Sequence, residues 1–234
     1  MIRAFDTLTK NFNILQKRQE NISSNMSNVQ TTGFQAKRLF QQTLNEVEVH
    51  NYQSGARLNQ RNDIGTITFG NELSGAALNT EKGAIEETSR PADFAIGAEG
   101  YFAVLLPNGE TAYTRNGNFM VNDQNQYVTQ EGYLVLSQGD QPTAAGFNPN
   151  FRVVAFTNPE NMVSEGDTYY QTNEAEQILD EPRIYQGYLE KANVTVADEM
   201  VAMIQTSREF EANQRVLSTT NETLRKAVNE LGRF

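Results

Sequence analysis

Residues 200–231 read MVAMIQTSREFEANQRVLSTTNETLRKAVNEL, and the spacing of their apolar side chains decides the fold. Met200, Met203, Ser207, Phe210, Gln214, Leu217, Asn221, Leu224, Val228 and Leu231 fall at alternating steps of three and four, the period that keeps one seam of a helix facing a partner. One register of that seam, Met203, Phe210, Leu217, Leu224 and Leu231, is wholly apolar. The other carries Ser207, Gln214 and Asn221, and polar groups buried there lower stability and specify register. A further stripe, Val194, Ala197, Val201 and Ile204, widens the first half of the helix toward a second neighbour. Thr195 and Asp198 stand at capping-box spacing and Gly232 follows the last seam position, so the segment 194–234 is predicted to hold a helix of roughly 36 residues, roughly 55 Å long.

Working outward, the amino terminus carries a matching pattern. Phe5, Leu8, Phe12, Leu15, Gln19, Ile22, Met26 and Val29 repeat the same steps, with only Gln19 polar. They predict a helix over 1–33, about 45 Å long and stopping at Gly33, that pairs with 194–234 as one discontinuous helical domain. Residues 34–80 are Gln/Asn-rich and weakly patterned, and read as an extended connector. Residues 81–193 read as a β-rich domain. Tyr101 to Leu106, the turn Pro107-Asn108-Gly109 and Thr111 to Arg115 form a hairpin, and Asn116-Gly117 gives a second turn before Asn118 to Val121. Turns at Asn122 to Gln124 and at Glu131-Gly132 follow, with later strands at Arg152 to Phe156 and Arg183 to Leu189. The predicted class is α+β: a β-rich central domain, an antiparallel meander, flanked by long N- and C-terminal helices that pair as a coiled coil. The competing arrangement packs both helices back onto a globular body.

Composition narrows the function. The chain has 234 residues, 38% hydrophobic and 21% charged, with a net charge of −10, and its length allows about 70% of the unfolded surface to be buried. Residues 1–38 hold six Lys/Arg and two Asp/Glu, whereas 39–188 hold seven and twenty. An acidic body with a short basic arm argues against nucleic acid as a partner. No apolar run approaches the roughly 18 residues of a membrane span. Cysteine is absent and histidine occurs once, which removes disulfides, thiolate metal sites, His-rich metal sites and a cysteine nucleophile. The first residues lack the compact apolar block of a cleaved signal peptide.

No catalytic constellation emerges. Gly70 to Gly75 has phosphate-loop spacing, but Ala76-Ala77 replace the residues that would hold phosphate and magnesium. Asp123 and Asn125 begin a calcium-loop pattern that Tyr127 and Val128 break. His50, near Glu46 and Glu48, lies in a polar segment where an exposed imidazole is the ordinary reading. Glu86 and Glu87 are adjacent and would point to opposite faces of a strand. Asn21, Asn25, Asn193 and Asn221 satisfy the glycosylation triplet, a pattern common by chance. No cofactor is expected.

Four blocks of sequence carry a resemblance. Residues 21–34, NISSNMSNVQTTGF, with Asn25, Asn28, Thr31, Gly33 and Phe34, are similar to the amino-terminal signature of the flagellar basal-body rod and hook family. Residues 93–102 (DFAIGAEGYF), 113–119 (YTRNGNF) and 127–136 (YVTQEGYLVL) resemble that family's β domain. Residues 189–194 (LEKANV, with Asn193 and Val194) and 199–213 resemble its carboxyl signature. The chain departs from the pattern at Ala192, where serine is usual, and at Gln35-Ala36, inserted before Lys37-Arg38. Its length leaves no room for the extra outer domain of full-length hook proteins, so the resemblance points to the rod, most like a distal rod protein.

The resemblance implies that the terminal helices pair as a coiled coil and stack with neighbouring copies into a tube around the export channel, with the β domain as an outer layer. Gln19, Gln214 and Asn221 would then fix axial register or face the lumen; register suits Gln214, and Ser207 fits either. The implied partners are copies of the chain, other rod and hook axial proteins and the flagellar export apparatus. The implied location is the basal body outside the cytoplasmic membrane, reached without a cleaved signal peptide. The terminal helices would be loosely ordered in the monomer and order on assembly. Alternatives remain a hook or hook-like axial protein, a non-flagellar coiled-coil/β fibre protein, and an enzyme with a helical appendage, which a deep pocket of convergent titratable groups in 93–188 would favour.

Overall fold

Hydrophobic periodicity switches from helical to alternating near residue 37, and the secondary structure switches with it. The structure, a computed structural model, describes residues 2–43, 46–53, 60–68, 70–146 and 149–231. Helix α1 (Ile2–Ser27) is followed by β1 (Lys37–Thr43), β2 (Glu46–Gln53), β3 (Gln60–Thr68) and β4 (Asn71–Leu78). Next come β5 (Ile85–Glu87), β6 (Phe94–Ile96), β7 (Tyr101–Leu105), β8 (Thr111–Thr114), β9 (Met120–Val121), β10 (Tyr127–Val128) and β11 (Leu134–Val135). The chain closes with β12 (Val153–Ala155), β13 (Val163–Ser164), β14 (Tyr169–Gln171), β15 (Gln177–Ile178), β16 (Ile184–Gln186), β17 (Tyr188–Glu190) and α2 (Val196–Leu231). Gly232 lies outside the described residues. The class is α+β, with a β-rich centre between two helices, and two compact units are present.

The unit of residues 23–38 and 77–199 is built on one antiparallel sheet, in the order β13-β14-β8-β7-β11-β10-β9. Strand β12 lies beside β11 along the same edge of β7, and β15 lies outside β12. Alternation along the strands supplies two buried faces. Phe102, Val104, Ala112, Val135, Val153 and Tyr169 enter one core, and Tyr101, Ala103, Tyr113, Leu136, Val154 and Tyr170 enter the other. The first core is aromatic: the Phe94 ring meets Phe151 edge-on at 4.7 Å, and Phe102 meets Phe119 at 5.1 Å, arrangements favoured by the ring quadrupoles.

The order corrects the expected simple meander. Strands β9, β10 and β11 are consecutive neighbours, but β11 returns to β7, and β14 joins the far side of β8. Asn116-Gly117 turns no hairpin. The segment crosses against β6, where the Phe94 amide donates to the Gly117 carbonyl at 3.0 Å. A Cβ at 117 would lie 1.7 Å from the Phe94 oxygen, so glycine is there for close approach. The expected strand over 183–189 is two strands. Gly187, at φ +80°, hands the chain from the β16–β6 ladder to the β17–β5 ladder.

The unit of residues 1–22, 39–76 and 200–234 contains most of both helices and the connector. The connector forms ladders: β1 pairs with β4, and β2 pairs with β3 from Glu46↔Thr68 to Gln53↔Gln60. The β2–β3 register shifts between Val49 and His50, leaving Ile64 as the extra, 64% exposed residue of a bulge.

Four of the described tyrosines sit in environments that oppose ionisation. Burial raises the hydroxyls of Tyr101 and Tyr170 above the ordinary value, and burial together with the acceptors Glu176 and Glu131 raises Tyr113 and Tyr169. A raised folded-state value means that these groups contribute stability fully below the unfolded tyrosine value of about 10 and lose it as the pH climbs above that. In an alkaline titration the phenolate absorbance of these four should therefore appear only together with unfolding. Their ionisation in a still-folded chain would contradict the buried placement.

Candidate assembly interface

Two features organise the parts of the chain singled out from sequence: a polar junction in one unit and the helix faces in the other. At the junction, Asn25 is 2% exposed. Its amide donates to the Lys37 carbonyl at 3.2 Å and to Glu199 Oε1 at 2.9 Å, and its oxygen accepts the Lys37 N–H at 3.2 Å. One side chain thereby joins the end of α1, the start of β1 and the first turn of α2. Asn193 does the same for three loops: it accepts the Ala36 N–H and donates to the carbonyls of Asn79 and Glu81, each at 2.7 Å. Asn193 is satisfied by backbone groups and Asn25 by backbone groups together with the Glu199 carboxylate, which offsets the cost of burying them.

The expected helix over 1–33 ends at Ser27. Asn28 donates to the Ser24 carbonyl at 3.1 Å and accepts the Thr31 hydroxyl at 3.1 Å, local bonds that compete with helix continuation. Gly33 sits at φ +67° and donates to the Glu190 carbonyl at 2.8 Å. Phe34 is buried and Val194 half-buried. Gln35, which interrupts the family pattern, is 2% exposed: its N–H donates to the Tyr170 hydroxyl at 3.2 Å and its side-chain oxygen accepts from Tyr101 at 3.0 Å.

A charge pair that the sequence reading missed underlies this junction. The side chains of Arg115 and Glu190 are 3% and 4% exposed, with Nε and Oε2 3.0 Å apart. Arg115 Nη1 also donates to the carbonyls of Ala98 and Gly100, and Glu190 Oε1 accepts the Gly83 N–H at 3.0 Å. Arg115 lies in the YTRNGNF block and Glu190 in the LEKANV block.

On α1 the positions spaced as a seam are all at least partly covered. Leu15 and Ile22 are buried, and Phe5, Leu8, Phe12, Gln19 and Met26 are half-buried, as is Val29 just beyond the helix. Ile14, outside the seam, is also buried, so the covered face is wider than two helices alone require. On α2 the chain covers Met203, Leu217 and Leu224 in part and leaves Phe210 38% exposed. The flanking row that it covers is Thr206, Asn213, Thr220 and Ala227, one residue before the row Ser207, Gln214, Asn221 and Val228, all of which are exposed. Met200 and Ile204 are each 54% exposed; the Leu231 side chain lies outside the described residues. Thr206 and Thr220 bond their own helix carbonyls, at Ala202 and Val216, both at 2.8 Å. That self-satisfaction allows them to turn inward, and residue-type patterning does not register it.

Phe12 meets Phe210 edge-on at 5.0 Å, and Arg18 Nη1 lies 3.1 Å from Glu209 Oε2. Beside these contacts runs an open groove of about 810 Å³ lined by Phe12, Leu15, Gln19, Thr206, Ser207 and Phe210 among others. Two cavities in the β-rich unit are smaller. One of about 120 Å³ borders Tyr101 and Arg115, and one of about 220 Å³ borders Phe94 and Phe151. Titratable groups nearby are spent on each other, Arg115 on Glu190 and Arg152 on Glu176 and Asp140. Among the described residues no group of three or more His, Asp or Glu is placed to hold a metal ion, and none of the helices is long and apolar enough to cross a membrane.

Comparison with known proteins places these features. Residues 185–230 match the family described as flagellar basal body rod FlgEFG protein C-terminal, and residues 95–165 match the flagellar hook protein FlgE/F/G D1 domain. The flagellar basal-body rod protein FlgG of Buchnera aphidicola subsp. Schizaphis graminum is 31% identical, with 88% of this chain and 90% of that protein covered. FlgG of Caulobacter vibrioides is 30% identical over 98% of this chain and 99% of its own length, and FlgF of the same organism is 28% identical over 94% of each. With both ends and the β core inside these matches, the chain belongs to the flagellar basal-body rod and hook protein family and is most similar in kind to the FlgG rod proteins.

Proposed function

We propose that this chain is a structural subunit of the distal flagellar rod, which assembles through α1 and α2 into a helical tube that transmits torque and encloses the export channel. One observation carries the reading. Helix α2 runs for 36 residues yet leaves Met200, Val201, Ile204, Val216 and Val228 more than half exposed, more apolar surface than a finished monomer keeps on one element. The α1 and α2 seams pair as a coiled coil through contacts such as Phe12 with Phe210. Their uncovered faces, with Gln214 and Asn221, meet neighbouring copies and set axial register. Stiffness follows because sliding one copy disrupts packing in all its neighbours. The partners are further copies, other rod and hook axial proteins and the export apparatus, which delivers the chain outside the cytoplasmic membrane without a cleaved signal peptide.

Leu217→Asp tests the seam. A carboxylate buried there without a partner is strongly unfavourable, so the variant should be exported, keep its β-rich unit folded by circular dichroism, and yet fail to enter basal bodies or support motility. Normal incorporation would remove the seam from the account.

A further inference from the structure

The dipeptide Asn-Gly occurs twice in the chain, at 108–109 and at 116–117, and the fold treats the two differently. Both lie in the β-rich unit. An asparagine followed by glycine is chemically labile, because the backbone nitrogen that follows has no side chain beside it and can approach the asparagine Cγ. Whether it does so depends on what holds the amide and what surrounds the glycine.

Asn108 and Gly109 sit in the exposed turn between β7 and β8. Gly109 is at φ +84°, and nothing lies within 4 Å of the position a Cβ would take there. The Glu110 N–H donates to Asn108 Oδ1 at 3.0 Å, which draws electrons from Cγ, and the Glu110 carboxylate accepts from Nδ2 at 2.7 Å. The Gly109 N–H is bonded to the Leu106 carbonyl at 2.9 Å, but at an exposed turn water replaces such bonds at little net cost. Asn116 is locked. Its Oδ1 accepts the Thr32 hydroxyl at 2.7 Å and the Asn118 N–H at 3.1 Å. Gly117 is buried, with the Phe94 oxygen 1.7 Å from the position of a Cβ.

We propose that Asn108 is a site of spontaneous deamidation in the folded chain and that Asn116 is preserved as the amide. The Gly109 nitrogen attacks Asn108 Cγ, forming the N–Cγ bond of a cyclic imide. The Cγ–Nδ2 bond breaks, the Gly109 proton passes through water to the departing nitrogen, and ammonia leaves. Water then opens the imide at either carbonyl, giving isoaspartate or aspartate; nothing is oxidised or reduced. The product places a carboxylate against Glu110, so repulsion replaces a hydrogen bond at the turn. Strands β7 and β8 keep their other neighbours, β11, β12 and β14. The sheet therefore outlasts the change, and the modification accumulates with the age of the chain. The assignment does not depend on the rod reading.

Trypsin separates the two sites, because Arg115 lies between them, and Asn108 is the only side-chain amide in residues 83–115. The full chain is held folded at mildly alkaline pH, digested and followed by mass spectrometry. Isoaspartate is detected by methyl transfer from S-adenosylmethionine with an isoaspartyl carboxyl methyltransferase. Fragment 83–115 should gain the mass of amide-to-acid conversion and accept methyl groups, at least about tenfold faster than Asn116 converts in its own fragment. In urea the two sites should convert at similar rates, since the protection of Asn116 is lost with the fold. Gly109→Ala, which shields the nitrogen, should slow conversion at Asn108 by at least about tenfold. Equal rates at the two sites in the folded chain, an Asn108 that stays amide when folded, or aspartate formed without isoaspartate would each overturn the proposal.

Discussion

Gly33→Ala is expected to destabilise the β-rich unit by roughly 3–5 kcal/mol, at the severe end for a single substitution. Two costs combine. At φ +67° an L side chain sits in the left-handed region, which costs about 1–2 kcal/mol for alanine. The added Cβ would lie 2.2 Å from the Asn116 nitrogen and 2.5 Å from the Arg115 carbonyl carbon. Those are backbone atoms, so no side-chain rotation relieves the clash, and the chain must shift away from the Glu190 carbonyl that Gly33 bonds at 2.8 Å. Urea unfolding followed by circular dichroism measures the loss as a lowered midpoint. An unchanged midpoint would mean that residues 33 and 116 do not approach in solution.

Arg115→Met should have a comparable effect for an electrostatic reason. Glu190 is 3% exposed, and its remaining neutral partner is the Gly83 N–H. Removing the guanidinium strands a buried carboxylate and leaves the Ala98 and Gly100 carbonyls without their donor, a loss of about 3–5 kcal/mol for a buried pair broken on one side. The double variant Arg115→Met with Glu190→Met removes both charges and should recover much of that loss, since matched apolar replacement of a buried pair is often close to neutral. Equal instability of the single and double variants would assign the pair a packing role in place of a charge role.

Local signals in the sequence were legible where one segment decides its own structure. The β7–β8 hairpin follows from alternation on either side of Pro107-Asn108-Gly109 and holds the register Leu105↔Thr111. Heptad spacing puts Phe5, Leu8, Phe12, Leu15, Gln19, Ile22 and Met26 along one side of α1, and each is buried or half-buried in the chain. Readings that needed a tertiary partner went astray. Asn116-Gly117 has a turn signature, but its glycine answers to Phe94 on another strand. The end of α1 is set by Asn28 and Thr31 bonding locally, six residues before the glycine that seemed to stop it. The connector hid its ladders because half-polar strands at an edge have weak alternation. On α2 the inward flank is the threonine-bearing row, since a threonine that bonds its own helix can turn toward a partner.

The same logic explains why the junction was visible only as a motif. Asn25 and Asn193 were marked by resemblance, but their work, satisfying backbone groups of segments more than 100 residues away in the case of Asn193, depends on the assembled fold. The Arg115–Glu190 pair had no local sequence signature at all, because its members are 75 residues apart.

The central claim is that the helices of this chain are completed by other copies around a common axis. Cryo-electron microscopy of basal bodies carrying a labelled form of the chain tests it most directly. The account predicts the label along the rod, with α1 and α2 lining the inner wall in a repeating helical array and the β-rich unit outside. A rod without the label, or a labelled chain whose two helices point away from the axis and touch no second copy, would contradict it.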